Sequence, residues 1–308
     1  MNVIEDIHPQ ALRPSVATIG FFDGVHLGHR HLIQQVKLAA SQNGWQSSII
    51  TFPVHPRQVI QSDYQPQLLS SANEKIELLG TTGVDNCILL PFTKELSMLT
   101  AREFMQLLYD KYQVRMLVIG YDHRFGHNRT ETFEDYCRYG QELGIHIMQA
   151  TAYTQEQDKV SSSAIRRALQ TGDIQTANQY LGYHYFVEGT VVDGYKVGRK
   201  MGFPTANLQM NFPHKLIPSV GVYAVYVHVK GQQWKGMLNI GYRPTLNNGS
   251  NLSIEVHILD FEGDIYQQSI RIEFIQFLRP EAKFSSIDKL IEQMQKDKEA
   301  TIQCLTTK

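Results

Sequence analysis

The hydrophobic period of this chain changes once, and that change constrains the fold more than any single motif. Up to about residue 181, short apolar runs alternate with helical patterns. Candidate strands lie at 16–19, 48–52, 87–90, 116–119 and 145–148, with candidate helices at 27–40, 72–79, 101–112 and 133–143 between them. Such alternation predicts a parallel sheet covered by helices on both faces. Beyond Tyr185 the helices stop. Segments 186–192, 222–229, 233–240, 252–259 and 269–277 read as strands separated by Gly, Pro and Asn turns, which predicts a barrel. The stretch 285–304 then reads as one amphipathic helix, with Ile287, Leu290, Ile291 and Met294 on a face. The expected architecture is an α/β domain over 1–182 and a small all-β barrel with a C-terminal helix over 183–308.

Bulk properties narrow the partners. At 308 residues the chain can bury two cores, and 42% hydrophobic with 19% charged residues suits a soluble globular protein. A formal net charge of −1 supplies no global field for nucleic acid or an anionic membrane. No apolar run approaches the ~20 residues of a membrane span, and residues 1–6 show neither a basic nor an apolar leader pattern. Cys87, Cys137 and Cys304 are few and scattered, which fits a reducing cytoplasm. The expectation is a cytoplasmic protein with small-molecule partners, no nucleic acid and no membrane.

The first candidate site is Gly20-Phe21-Phe22-Asp23-Gly24-Val25-His26-Leu27-Gly28-His29. A β-branched strand enters this Gly/Asp turn and a helix leaves it. His26 and His29 share a face of the helix's opening turn, and Gly28 between them removes a Cβ that would block close approach. Free N–H groups and the positive dipole end make phosphate the natural ligand. Two imidazoles can follow charge growing on a reacting phosphoryl oxygen. Taken alone, H-x-G-H also fits a surface pair or half a zinc site, although the cysteines are too scattered to complete one.

Three further segments belong with it. Ser161-Ser162-Ser163-Ala164-Ile165-Arg166 joins a helix start to an anion grip, with hydroxyls at the cap and a guanidinium one turn in. Phe52-Pro53-Val54-His55-Pro56 and Gly120-Tyr121-Asp122-His123-Arg124-Phe125-Gly126 each follow a strand, so both are placed to line the same mouth, where aromatics could hold a planar ligand. Structural turns account for these two segments equally well.

The second candidate site is the glycine-rich, basic run from Gly194 through Gly198, Lys200, Gly202 and Pro204 to Thr205 and Asn207. Its backbone can wrap polyphosphate. Thr205 and Asn207 alternate along a strand and offer hard oxygen ligands suited to Mg²⁺. The lysine and Ser/Thr spacing is not that of a P-loop, and a structural barrel corner would also use these glycines. Glu255 is an acid in an apolar strand. Facing a barrel interior, it needs a partner or a task, such as activating a hydroxyl beside Mg·ATP; its parity with Ile254 and Val256 also permits a water-facing position. The turn from Asn239 to Thr245 would shape the pocket.

In combination and order, the segments from Gly20 to His29, Val160 to Arg166, Gly198 to Asn207, Asn239 to Thr245 and Ile254 to Phe261 resemble the prokaryotic bifunctional riboflavin kinase/FAD synthetases. The resemblance covers nearly the whole chain. It implies a Rossmann-like nucleotidyltransferase domain that adenylylates FMN, followed by a barrel that phosphorylates riboflavin. By the same resemblance, ATP in the first domain would contact Gly20, Phe21, Asp23, Gly24, His26, Gly28, His29, Ser162, Ser163 and Arg166. The flavin would lie at His55, Pro56, Asp122, Arg124 and Phe125. In the barrel, ATP would lie along Gly194, Gly198, Lys200, Gly202, Pro204, Thr205 and Asn207, with Mg²⁺ on the last two and Glu255 as base. Riboflavin, FMN and ATP are the implied partners, and FMN and FAD the products. Phe22 stands where the family commonly has asparagine.

Overall fold

The computed structural model describes residues 1–5, 12–61, 63–121, 123–155, 158–194, 197–243 and 251–306. Asp122, residues 195–196 of the glycine-rich run and residues 244–245 of the Asn239 turn lie outside the described residues. Two compact units divide the chain, Met1–Ser162 and Ser163–Lys308.

The first unit runs β1 (Asn2–Ile4), β2 (Ser15–Ile19), α1 (Leu27–Asn43), β3 (Gln46–Thr51), α2 (Pro56–Ile60), α3 (Ala72–Gly80), β4 (Asn86–Leu89), α4 (Lys94–Met98), α5 (Ala101–Tyr112), β5 (Val114–Ile119), α6 (Phe133–Leu143) and β6 (His146–Gln149), then a short pair, β7 (Thr154–Gln155) and β8 (Asp158–Lys159). Parallel strands form one sheet in the order β1-β4-β3-β2-β5-β6. The strands and helices expected here all form, with ends within three residues. β1 escaped the sequence reading because its three residues are too few to show a period.

β2 is buried at every position, and its parity separates two cores. Val16 packs with Val36, Ala39 and Ala40 of α1. Ala17 and Ile19 pack with Phe104, Met105 and Leu108 of α5 on the other face. Each large aliphatic buried this way contributes about 1.5–3 kcal/mol. Capping boxes start α3, α5 and α6, where Ser71, Thr100 and Thr132 exchange hydrogen bonds with Glu74, Glu103 and Asp135. From β2 the chain steps outward through β3 to β4, then returns to the opposite side of β2 with β5. The switch point therefore lies beyond the carboxyl ends of β2 and β5, where open α/β sheets bind ligands.

α7 (Ser162–Thr171) and α8 (Ile174–Leu181) follow. The contact division falls before the expected boundary at Gly182, because helical periodicity does not say which sheet a helix covers. α8 packs on a barrel strand: Asn178 Nδ2 donates to Phe274 O at 2.8 Å, and its Oδ1 accepts from Tyr185 N at 2.7 Å.

The second unit continues β9 (Phe186–Val192), α9 (Val197–Lys200), β10 (Ala206–Met210), β11 (Gly221–Val229), β12 (Gln232–Arg243), β13 (Asn251–Ile258), β14 (Ser269–Arg279) and α10 (Ile287–Thr306). The strands close an antiparallel barrel in the order β10-β13-β12-β11-β14-β9, and β9 pairs back onto β10. Tyr223, Leu238 and Val256 are cross-strand neighbours with no exposed surface and fill the interior. α10 covers the outside of β11, β12 and β14. Its Ile291 and Met294 pack on Val222 and Met237. Ile287, expected on the same face, is 67% exposed because it is the first residue of the helix, ahead of the packed turns. Arg279 fastens the helix with bonds of 3.0 Å from Nε to Asp297 Oδ1 and 2.7 Å from Nη2 to Asp297 Oδ2.

Candidate active sites

The turn after β2 is strained. Phe22 (φ 54°), Gly24 (φ 75°) and Val25 (φ 40°) all take left-handed backbone. Glycine adopts it freely; for phenylalanine, and above all for β-branched valine, it persists only when the surroundings over-determine it. Asparagine tolerates this backbone, which explains why a related sequence can carry it where Phe22 stands. The fastening comes from the segment before α3. Asp23 Oδ1 accepts from Leu69 N at 2.9 Å and Ser70 N at 3.1 Å, and Gly24 N donates to Ser70 Oγ at 3.0 Å. Gly20 N continues the ladder to Ile50 O at 3.1 Å.

This turn delivers two imidazoles. His26 caps α1, its Nδ1 accepting from His29 N at 3.4 Å. Its ring stacks on that of His29 at 3.6 Å between centroids and 20° between planes. Gly28 eases this approach, since a Cβ there would stand a tight 3.2 Å from the His26 ring, and 3.4 Å from Val160 O. His29 Nδ1 is buried and has no hydrogen-bond partner among the described residues. Burial first, then His26 and Lys75, hold the His29 pKa well below the ordinary 6.5, so the ring is neutral at pH 7. Ser162 Oγ donates to Asp23 O at 3.1 Å, which brings the start of α7 to the turn. Ser163 and Arg166 are the second and fifth residues of that helix.

A cleft at the same end of the sheet is lined by Ile19, Phe52, Pro56, Phe92, Arg124 and Phe125, among others. It gathers Pro56, Arg124 and Phe125 of the expected planar-ligand set. His55 instead caps α2, accepting from Arg57 N at 3.1 Å, and lies edge-on to Phe21 at 4.7 Å. Phe125 also belongs to the core, stacked at 4.4 Å on Tyr136.

In the barrel, Asn207, Glu255 and Asn239 stand in register across β10, β13 and β12. Glu255 faces neither the barrel interior nor open water, the two alternatives left by its sequence. Ile254 and Val256 turn inward, while Glu255 and His257 line a cavity of about 340 Å³ with Leu290 and Met294 of α10. Thr205 Oγ1 donates to Glu255 Oε2 at 3.4 Å. Thr205 also borders a second cavity, of about 610 Å³, with Arg199, Pro204, Phe261 and Tyr266. A Cβ on Gly194 would collide with the Asn207 amide, so with any other residue the segment or the amide must shift. Gly198 accepts from Phe203 N at 2.9 Å, Gly202 takes left-handed backbone (φ 84°), and Lys200 ends α9.

Two residues were missed by sequence reasoning. Lys75 reads as an ordinary helix charge, yet is 2% exposed and bonded to the ends of β2 and β3. His257 donates Nδ1–H to Pro204 O at 2.8 Å, and burial holds its pKa below 6.5. Strand parity with Glu255 was the signal for it.

A FAD synthetase family model matches residues 8–164, and a riboflavin kinase family model matches residues 181–305. The bifunctional riboflavin kinase/FMN adenylyltransferase of Listeria monocytogenes is 40% identical over 93% of this chain and 91% of its own length. That of Bacillus subtilis is 35% identical over 98% of each. A crystal structure of a Streptococcus pneumoniae protein, named there as a macrolide-efflux protein, has 29% identity and a TM-score of 0.87 over 98% of this chain and 99% of that one. No described helix is long and apolar enough to cross a membrane. The fold and these matches define an enzyme of flavin nucleotide synthesis with two catalytic domains. The chain belongs to the bifunctional riboflavin kinase/FMN adenylyltransferase family.

Proposed function

We propose that the two activities divide between residues 1–182, which adenylylate FMN, and residues 183–308, which phosphorylate riboflavin, in the cytoplasm. The observation that carries the kinase reading is that Thr205 borders both barrel cavities, with Glu255 bonded to it in one of them. The cavity under α10 sets apolar Val222, Met237, Leu290 and Met294 beside the polar row and the charged Arg279, Glu281 and Asp297, which suits a flavin with its apolar and polar edges; its ribityl 5′-hydroxyl then meets the Glu255 carboxylate. The larger cavity takes ATP. Glu255 accepts the hydroxyl proton, the oxygen attacks the γ-phosphorus, and ADP leaves with FMN formed. The hard oxygens of Thr205 and Asn207 fit Mg²⁺, which would supply charge neutralisation for the phosphates there.

In the first domain an FMN phosphate oxygen attacks the α-phosphorus of a second ATP, giving FAD and pyrophosphate. His26 and His29 donate to the α-phosphate oxygens as their charge grows, and Ser162, Ser163 and Arg166 hold the departing pyrophosphate. The flavin lies toward Pro56, Arg124 and Phe125, with His55 contributing at its edge. No covalent intermediate is required; positioning and electrostatics suffice. The test is a time course with riboflavin, ATP and Mg²⁺ resolved by chromatography. FMN rises and then FAD, with ADP and pyrophosphate released in turn. Failure to form FMN removes the kinase reading, and FMN accumulating without FAD removes the adenylyltransferase reading.

A further inference from the structure

Lys75 is a buried cation whose role the two reactions leave unexplained. It sits in the first turns of α3, 2% exposed, where an ammonium is costly unless bonded. Its Nζ donates to Phe21 O at 3.1 Å and to Phe52 O at 2.7 Å, and lies 4.0 Å from the Phe21 ring centroid. These two carbonyls lie just past the ends of β2 and β3, where the chain departs into the histidine turn on one side and the His55–Pro56 loop on the other. Thr51 Oγ1 donates to the same Phe21 carbonyl at 3.2 Å. The next residue, Phe22, begins the strained left-handed backbone.

We infer that Lys75, with Thr51, is a positioning residue of the adenylyltransferase site, fixing the Phe21 carbonyl so that the histidine turn and the flavin-side loop keep one relative placement. This rests on the reading that the turn performs adenylyl transfer. The strain at Phe22 and Val25 is the reason such a clamp is needed. A left-handed phenylalanine relaxes toward ordinary backbone unless the peptide before it is held, and relaxation would carry His26 and His29 away from the α-phosphate. An ammonium suits the task because one head group can donate to two diverging carbonyls and to an aromatic face at once.

The experiment compares wild type, Lys75→Met and Thr51→Val in the full chain, measuring FAD formation from supplied FMN and, in the same preparations, FMN formation from riboflavin. Methionine keeps the length and removes the donors. Lys75→Met is expected to lower kcat for FAD formation by about 10²-fold, the scale of a displaced reacting group. Its KM for ATP should stay within about threefold, and kinase turnover should be unchanged. Thr51→Val should lower the same kcat by about tenfold, the scale of one lost hydrogen bond. A cooperatively folded Lys75→Met with wild-type kcat overturns the inference. Where Lys75→Met fails to fold, Thr51→Val decides, and wild-type turnover in it overturns the inference. A wild-type protein that forms no FAD at all instead removes the underlying functional reading.

Discussion

His26 and His29 stack face to face at 3.6 Å, with His26 Nδ1 accepting the backbone N–H of His29. Two like rings can sit so close only if they are not both charged, and the depressed pKa of His29 meets that condition. His29 thus works beside His26 as a neutral donor that costs little to desolvate. Replacing His29 by alanine removes one of them and is expected to slow FAD formation by ~10²-fold or more, the scale of a lost transition-state donor. FMN formation from riboflavin should be unaffected. Equal loss of both activities in a folded variant would sink the two-site assignment.

A neutral His29 also fixes a pH dependence. The folded pKa lies below the unfolded 6.5. The unfolded chain therefore binds the extra proton first as pH falls, so the first unit is at full stability above about pH 6.5 and loses it toward the folded pKa. Thermal unfolding followed between pH 8 and 5 should show the first unit weakening below about 6.5, and His29→Gln should flatten that slope. A steeper slope in the variant would contradict a depressed native pKa.

Much of this was legible in the sequence, for identifiable reasons. The residue spacing of the H-x-G-H turn and the parity of Thr205 and Asn207 are local, and local geometry follows from strand and helix periods. Glu255 was harder. Its parity put it opposite Ile254 and Val256, but only the docking of α10 makes that outer face a cavity wall. Lys75 was invisible because its partners, the carbonyls of Phe21 and Phe52, are backbone groups far along the chain. The unit boundary was equally non-local, since α8 looks like any helix of the α/β half until Asn178 meets Phe274.

Glu255→Ala removes the proposed base while leaving the first unit untouched. FMN formation should fall by about 10²–10⁴-fold, the range for general acid–base catalysis, and FAD formation from supplied FMN should persist. Stopped-time assays with each substrate separately check both arms. Wild-type kinase turnover in the variant would move the base elsewhere.

Gly194→Ala tests the crossing over Asn207. The added Cβ has no room beside the Asn207 amide, so either the glycine-rich segment lifts or the amide turns away. Both disturb the Thr205–Asn207 stretch proposed to hold Mg²⁺ and the phosphates, and the expected signature is a raised KM for ATP together with a lowered kinase kcat. Adenylyl transfer serves as the internal control. Unchanged kinase parameters would mean that Asn207 is not held against this backbone in the working enzyme.

The Arg279–Asp297 fork joins the last strand to the closing helix, and its removal should separate helix docking from barrel integrity. Asp297 is 5% exposed and also accepts Gln293 Nε2 at 2.8 Å. Asp297→Ala leaves a guanidinium partly buried without its carboxylate. Breaking a buried pair costs about 3–5 kcal/mol, and the 21% exposure of the Arg279 side chain reduces this to about 2–4 kcal/mol. At about 2–4 °C per kcal/mol, the second unit should melt some 5–15 °C lower. The kinase should fail first on warming, because Leu290 and Met294 of the same helix line the cavity under it. Arg279→Met combined with Asp297→Leu removes both charges and should recover most of the loss, since an apolar pair of similar volume is often as stable as the buried ion pair. Calorimetry of the two variants decides the cause: a double variant no more stable than Asp297→Ala would show that the stranded charge is not what lowers the melting temperature.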